Sequence, residues 1–180
     1  TGGGDCSGLN AVVRAVTLTA INKYGCDVIG FKKGYAGLYA NDYMELTVEN
    51  TEKILAQGGT ILRNSNKDNL FNYAYRDENG NIMHKDVSDV AVENLKKLNI
   101  DALVVIGGDG TLTSARDFAR KGVKVIGVPK TIDNDVACTE ITFGYNTAVS
   151  IASDAIDRLH TTGETHHRIM VLEVMGRYAG

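Results

Sequence analysis

Apolar runs punctuate the chain at residues 27–31, 60–62, 102–106, 123–128 and 168–174, and most are continuous and rich in Val and Ile. Unbroken runs of this kind, in place of strict alternation, mark strands covered on both faces. Between them the period changes. Residues 9–24 carry apolar side chains at helical spacing and stop at Gly25, and residues 87–98 set Val87, Val90, Ala91, Leu95 and Leu98 along one stripe. Residues 148–159 repeat Ala148, Ile151, Ala152, Ala155, Ile156 and Leu159 at the spacing of a packed helix face. Strands alternating with helices predict parallel strands joined by right-handed crossovers. The expected fold class is therefore α/β, a three-layer sandwich around a mostly parallel sheet. The polar stretch 64–84 reads as a surface excursion with a hairpin on the Asn79-Gly80 turn. Thr1–Asp5 has the character of a loop that follows a strand, yet no strand precedes it, and Gly180 comes soon after the last predicted strand. The expectation is a sheet incomplete at both ends.

Composition narrows the functional classes. With 180 residues, 43% hydrophobic and 23% charged, the chain is suited to one cored domain, or one domain and part of another, and not to a disordered tract. A net charge of -3 lacks the basic excess of a nucleic-acid groove. No apolar run approaches the roughly 20 residues that cross a bilayer. Neither nucleic acid nor membrane is an expected partner. Cys6, Cys26 and Cys138 lie far apart without a CxxC pair, which suits a reducing, cytoplasmic setting better than a disulfide framework.

The chemistry concentrates in three polar clusters, "TGGGDCSG", "GGDGT" and "PKTIDND", each placed where ligands bind in open α/β sheets, at the carboxyl ends of strands. Any one alone is as well explained by turn and cap chemistry; three on one sheet edge are harder to dismiss. The first cluster would bring backbone N–H groups and the start of the helix near Ser7 to an anion. It is neither a Walker loop nor a G-x-G-x-x-G fingerprint. In the second, Gly107 and Gly108 clear room for a polyphosphate, Asp109 offers a hard oxygen for Mg²⁺, and Thr111 would begin the next helix. In the third, Pro129 is expected to end the strand. Asp133 and Asp135, two apart and upstream of a helix beginning near Gly144, could take a proton from an attacking hydroxyl and orient a metal or the base. His160, His166 and His167 have no carboxylate or cysteine at ligand spacing, so no metal is assigned to them. Cys6 reads as a small filler.

Together "GGGDCSGLNAVVR", "KGYAGLY", "GGTIL", "GGDGT", "PKTIDND", "TFGYNTA" and "HHRIMVLEVMGR" closely resemble the 6-phosphofructokinase family, in order and spacing, through essentially the whole chain. The resemblance implies a Rossmann-like phosphofructokinase fold, with residues 1–143 as a phosphoryl-donor lobe lacking its first strand and 144–180 as the beginning of a substrate lobe. It implies ATP and fructose 6-phosphate as ligands, Mg²⁺ as the cofactor, and a homo-oligomer whose substrate sites are shared between subunits. Residue by residue, Asp133 resembles the base for the C1 hydroxyl, with Thr131 and Arg177 as transition-state stabilisers. Asp109 resembles the Mg²⁺ ligand, and Gly3, Lys67, Gly108, Gly110 and Thr111 lie with it around the donor. Thr131, Ile132, Asp133, Met175, Gly176 and Arg177 would line the sugar-phosphate site. Arg168 is similar to the arginine that reaches a neighbouring subunit's substrate. The chain departs from the family at Asn66, which stands where a phosphate-bridging arginine is usual; Arg63 or Lys67 would supply that charge instead.

Two positions bear on the donor. Gly110 leaves space for an α-phosphate, where pyrophosphate users resemble the motif but carry aspartate. Lys130 is shared with pyrophosphate users. Steric exclusion outweighs a mobile lysine's preference, so the expected donor is ATP. The alternatives are a pyrophosphate-dependent phosphotransferase, a non-catalytic nucleotide-binding regulatory subunit and, less close, a NAD or lipid kinase.

Overall fold

In the computed structural model, which describes residues 1–66 and 68–178, the first helix follows the sequence's helical stripe, Leu9–Tyr24 (α1). Ile29–Phe31 (β1) then pairs antiparallel with Tyr43–Glu45 (β2) around the short helix Tyr35–Ala40 (α2). The single turn Val48–Thr51 (α3) is capped reciprocally by Thr47 and Asn50. A 3-10 turn, Leu70–Asn72, leads into the hairpin of Tyr73–Arg76 (β3) and Ile82–Lys85 (β4). Its loop contains Asn79-Gly80, as the sequence predicts; Asp77 Oδ1 accepts from the N–H groups of Asn79 and Asn81 at 2.9 and 2.8 Å. Next come Ser88–Lys97 (α4), Leu103–Gly107 (β5), Asp109–Arg120 (α5), Val125–Thr131 (β6), Phe143–Gly144 (β7) and Tyr145–His166 (α6).

β5, β6 and β7 form a parallel sheet in that order, with Leu103 opposite Val125 and Gly107 opposite Pro129, then Lys130 opposite Phe143. Side chains alternate across a strand, so β5 feeds both faces. Val105 joins Phe31, Leu38, Leu70, Ala91, Leu95 and Phe118 beneath α2, α4 and α5. Ile106 joins Leu9, Val12, Val13, Leu46 and Leu62 beneath α1. Helices therefore cover both faces, the layering expected from unbroken Val/Ile runs.

Several expectations give way. Residues 60–62 are a turn, not a strand: Arg63 N–H donates to Thr60 O at 3.0 Å and Leu62 N–H to Thr60 Oγ1 at 3.2 Å, while Ile61 N–H goes to the Asn10 side chain and Leu62 O accepts from Lys33 N–H, with no strand ladder. Its apolar character is explained by Leu62, buried against α1. The 27–31 run contributes only three strand residues, and its partner is antiparallel. Pro129 does not end β6. It is the last residue in register with β5 and precedes the first in register with β7, a handover where a strand tolerates a residue without an N–H. Residues 168–174 form no strand; among the described residues no sheet edge pairs with them, and Ile169 is 95% exposed. α6 includes the 148–159 stripe but buries none of its residues, leaving Ile151 and Ile156 exposed.

Phe118 is the tightest point of the α5 face, fully buried, with ring centroids 5.5 Å from Tyr35 and 4.9 Å from Phe71. Truncation there removes the aromatic contacts and leaves a cavity. Phe118→Ala in the intact protein is expected to lose about 3–5 kcal/mol of stability, read as a lower denaturation midpoint at unchanged denaturant slope.

Candidate active site

The parallel register of β5 and β6 carries "GGDGT" and "PKTIDND" off the sheet side by side. The first glycine cluster is tied to the same edge, because Gly2 N–H donates to Ile106 O at 2.8 Å and Gly3 N–H to Ser65 O at 3.2 Å. Between these loops lies a pocket of about 340 Å³, lined by Gly2–Gly4, Ser65, Asn66, Asp68, Gly108–Thr111, Lys130, Thr131, Asp133, Asp135 and Arg177. A larger cavity, about 870 Å³ between α1, β1 and β5, is lined mostly by aliphatic side chains and reaches only Thr111 among the predicted site residues.

Asp109, not Thr111, begins α5, and Leu112 N–H closes its first turn on Gly108 O at 3.0 Å. Thr111 lies inside that turn, so it is not the cap. Its side chain instead fills a hollow that exists because its neighbours are glycine: a Cβ on Gly107 would come within 2.5 Å of Thr111, and one on Gly2 within 2.7 Å. Tyr35 Oη donates to Thr111 O at 2.8 Å and fixes the turn from the α2 side. Burial pushes the Tyr35 hydroxyl well above its ordinary pKa, with the charge of Asp117 adding to it, so this group stays a donor at neutral pH. Asp109 is exposed at the helix start, where the backbone dipole favours a carboxylate. A Cβ on Gly110 would meet nothing within 4 Å; the space beside that position is open.

The third loop is held by its own polar side chains. Thr131 Oγ1 donates to Asp133 Oδ2 at 3.1 Å and accepts from Asp133 N–H at 3.1 Å. Arg177 N–H donates to Asp133 Oδ1 at 2.8 Å, and its guanidinium lies 3.8 Å from Asp135. Asn134 sits at φ 52° and accepts from Thr142 N–H at 2.8 Å while donating to Glu140 O at 3.2 Å. The buried Thr142 hydroxyl returns to Thr131 O at 2.8 Å. Gly144, at φ 102° and pressed on Cys6, lets β7 turn directly into α6 where a Cβ would clash. Burial raises the Cys6 thiol pKa, in keeping with its filler role. Lys130 is buried, and its ammonium donates to Gly4 O at 2.7 Å.

Thus Gly3, Gly108, Asp109, Gly110, Thr111, Lys130, Thr131, Asp133 and Arg177 converge on one pocket. Ile132 packs against the α1-side apolar cluster instead. Met175 and Gly176 lead to Arg177 without lining the pocket, and Arg168 lies apart, beside α6 with His160 and Met170. Lys67 lies outside the described residues. Asn66, at the bridging arginine's place, does line the pocket. Sequence reasoning missed Tyr35, Asp68 and the Gly4 carbonyl; a tyrosine flanked by glycines in "KGYAGLY" was the available signal for the first.

Among the described residues no group of three or more His, Cys, Asp or Glu could hold a metal by itself. Mg²⁺ is usually held by one or two carboxylates together with substrate phosphate oxygens, and Asp109 and Asp135 are exposed carboxylates that line the pocket. No helix among the described residues is long and apolar enough to cross a membrane.

An α/β domain with a polar, glycine-walled pocket at its strand ends defines a phosphate-handling class. The phosphofructokinase family model matches residues 1–180, and the chain belongs to the phosphofructokinase family. It is 71% identical over its whole length to an ATP-dependent 6-phosphofructokinase 2 from Clostridium perfringens, covering 49% of that protein. It is 49% identical, again covering 49%, to a pyrophosphate–fructose 6-phosphate 1-phosphotransferase from Amycolatopsis mediterranei. The phosphofructokinase structure from Saccharomyces cerevisiae superposes with a TM-score of 0.79 at 32% identity, over 99% of this chain and 26% of that one. The chain spans about half the length of the curated relatives it matches.

Asn134 is the hinge of the third loop, joining a left-handed backbone to both of its side-chain bonds. Asn134→Ala is expected to cost about 1–3 kcal/mol through the unpaired Thr142 N–H and the unfavourable φ. Asn134→Gly should recover the conformational share alone, so a thermal-denaturation series of the three proteins separates the two contributions.

Proposed function

We propose that the protein containing this chain transfers a phosphoryl group from ATP to the C1 hydroxyl of D-fructose 6-phosphate, giving fructose 1,6-bisphosphate in glycolysis. The observation that carries this reading is Asp133, whose two carboxylate oxygens accept from the Thr131 hydroxyl and the Arg177 N–H across the pocket from Gly108–Thr111. A binding module has no use for a carboxylate so oriented; a phosphotransferase needs one to accept the proton of the attacking hydroxyl. Thr131 and the Arg177 guanidinium stabilise charge on the transferring phosphoryl group. Gly3, Lys67, Gly108, Gly110 and Thr111 surround the donor. Mg²⁺, when bound through Asp109, offsets charge on the donor phosphates.

Residues 1–143 serve as the donor lobe and 144–180 open the substrate lobe, with Ile132, Met175 and Gly176 on the sugar side. The assembly is a cytoplasmic homo-oligomer in which Arg168, remote from the pocket in its own subunit, reaches a neighbour's sugar phosphate. A pyrophosphate donor is the second reading, favoured by Lys130 and by the Amycolatopsis relative at 49% identity. The open space beside Gly110 favours ATP.

In the intact enzyme, Asp133→Asn should leave ligand binding near normal while kcat falls by roughly 10² or more, the usual loss for a general base. A coupled assay of fructose 1,6-bisphosphate formation measures it, and near wild-type turnover removes Asp133 from the mechanism. Gly110→Asp introduces a carboxylate into open space, so its effect is electrostatic and not steric. Like charges about 4 Å apart at a partly desolvated site cost on the order of several kcal/mol, and the ratio of kcat/KM for ATP to that for pyrophosphate should collapse. A wild type that already prefers pyrophosphate overturns the choice of donor.

A further inference from the structure

A lysine that chooses between donors must present its ammonium to them. Lys130 lines the pocket but uses a donor elsewhere. It is 3% exposed, and its ammonium is turned onto the backbone of the first glycine loop, 2.7 Å from Gly4 O. The same carbonyl accepts from Asn64 Nδ2 at 3.3 Å. A Cβ placed on Gly4 would meet no atom within 4 Å, so a side chain there would find nothing to pack against. Its neighbours are anchored, Gly2 to Ile106 O and Gly3 to Ser65 O, so the Gly4 carbonyl is the third point that defines the loop. Through it three segments meet: the loop before α1, the 63–66 segment and the end of β6.

No carboxylate lies within ion-pair distance of Lys130 among the described residues; Asp5 and Asp133 act on it only at longer range. Burial accordingly lowers its pKa. A buried ammonium is costly unless its hydrogen bonds are placed well, and a charge-assisted bond to a carbonyl is about twice as strong as a neutral one. The cost is spent on loop geometry.

We propose that Lys130 is a positioning residue: with Asn64 it clamps the Gly4 carbonyl and holds the glycine loop in the shape that receives the donor's phosphates, instead of selecting the donor by direct contact. The inference rests on the kinase reading for its kinetic consequence but not for the clamp itself. Donor choice then falls to Gly110 alone, and loss of the clamp weakens every donor alike.

The test uses the intact enzyme with Lys130→Met, which keeps the length and removes the charge, and Asn64→Ala, which removes the weaker bond on the same carbonyl. Amide hydrogen exchange of the peptide covering residues 1–8 reads the clamp without turnover. It should quicken about tenfold in Lys130→Met and by a smaller factor in Asn64→Ala, the scale of a lost hydrogen bond to a charged and to a neutral donor. In steady state the loss should fall on KM for ATP, with kcat and KM for fructose 6-phosphate less affected, and the ratio of kcat/KM for ATP to that for pyrophosphate should stay within about threefold of wild type. Unchanged exchange in the variants overturns the clamp; should Lys130→Met not fold, unchanged exchange in Asn64→Ala overturns it equally. A ratio shifted tenfold or more toward ATP makes Lys130 a direct reader of pyrophosphate and overturns the proposal. Absence of kinase activity in the wild type removes the functional reading while leaving the exchange result decisive for the clamp.

Discussion

The in-register parallel pairing of β5 with β6 is the constraint on which the rest depends. Because Gly107 lies opposite Pro129, β5 ends where β6 passes over to β7, and the turn at Gly108 lies against Lys130 and Thr131 at the end of β6. A slip of one residue would reverse which side chains of β5 enter each apolar layer. Val105 would then face the α1 side and Ile106 the α4 and α5 side. The hydrophobic layers therefore hold the register, and the register holds Asp109 and Asp133 on one pocket. The Gly2 N–H to Ile106 O bond adds the first glycine loop to the same edge.

Close packing of backbone shapes the donor side around Thr111. Thr111 occupies the space that Cβ atoms on Gly2 and Gly107 would need, so two loops and one helix turn touch through a single threonine side chain. The acceptor side follows the opposite strategy. Thr131, Asp133, Asn134 and Thr142 knit their loop by side-chain bonds, which permits a turn with a left-handed residue at its centre. One wall combines contact at Thr111 with bonds to the glycine-loop backbone, and the other relies on side-chain bonds within its own loop.

Legibility in the sequence follows the same physics. Elements with a strong period packed on the core, α1, α4 and β5, are readable because burial imposes their pattern; β6 has a strand's composition although its Ile126 is 60% exposed. The three polar clusters are readable because glycine, proline and paired aspartates are rare together at strand ends. Residues 60–62 misled because a buried Leu62 explains an apolar run without any strand pairing. Residues 168–174 misled in the other direction: their composition is a strand's, but a strand needs a partner edge, and among the described residues none is offered. Tyr35 and the Gly4 carbonyl could not be read at all from period or composition. One acts through a hydroxyl donated across 76 positions, marked locally only by the glycines near Tyr35, and the other through a backbone oxygen, which leaves no local mark in the sequence.

Charge decides what such a pocket can accept. Its described lining carries Asp68, Asp109, Asp133 and Asp135 against Lys130 and Arg177, an excess of two negative charges. The start of α5 and the N–H groups of the glycine loop offset part of this, but only within the first helical turn. Lys130 donates to Gly4 O, and the Arg177 guanidinium lies against Asp135, its bond to Asp133 coming from the uncharged backbone N–H. A bare polyphosphate entering here would be repelled by carboxylates it cannot neutralise. The same anion arriving with a divalent cation is a different object, since a cation held by Asp109 would reduce the charge presented to Asp133. On this argument the carboxylate excess is what makes the proposed donor a metal complex and not a free anion. It also explains why openness at Gly110 matters more than its size: a side chain there could be accommodated, but a further negative charge could not.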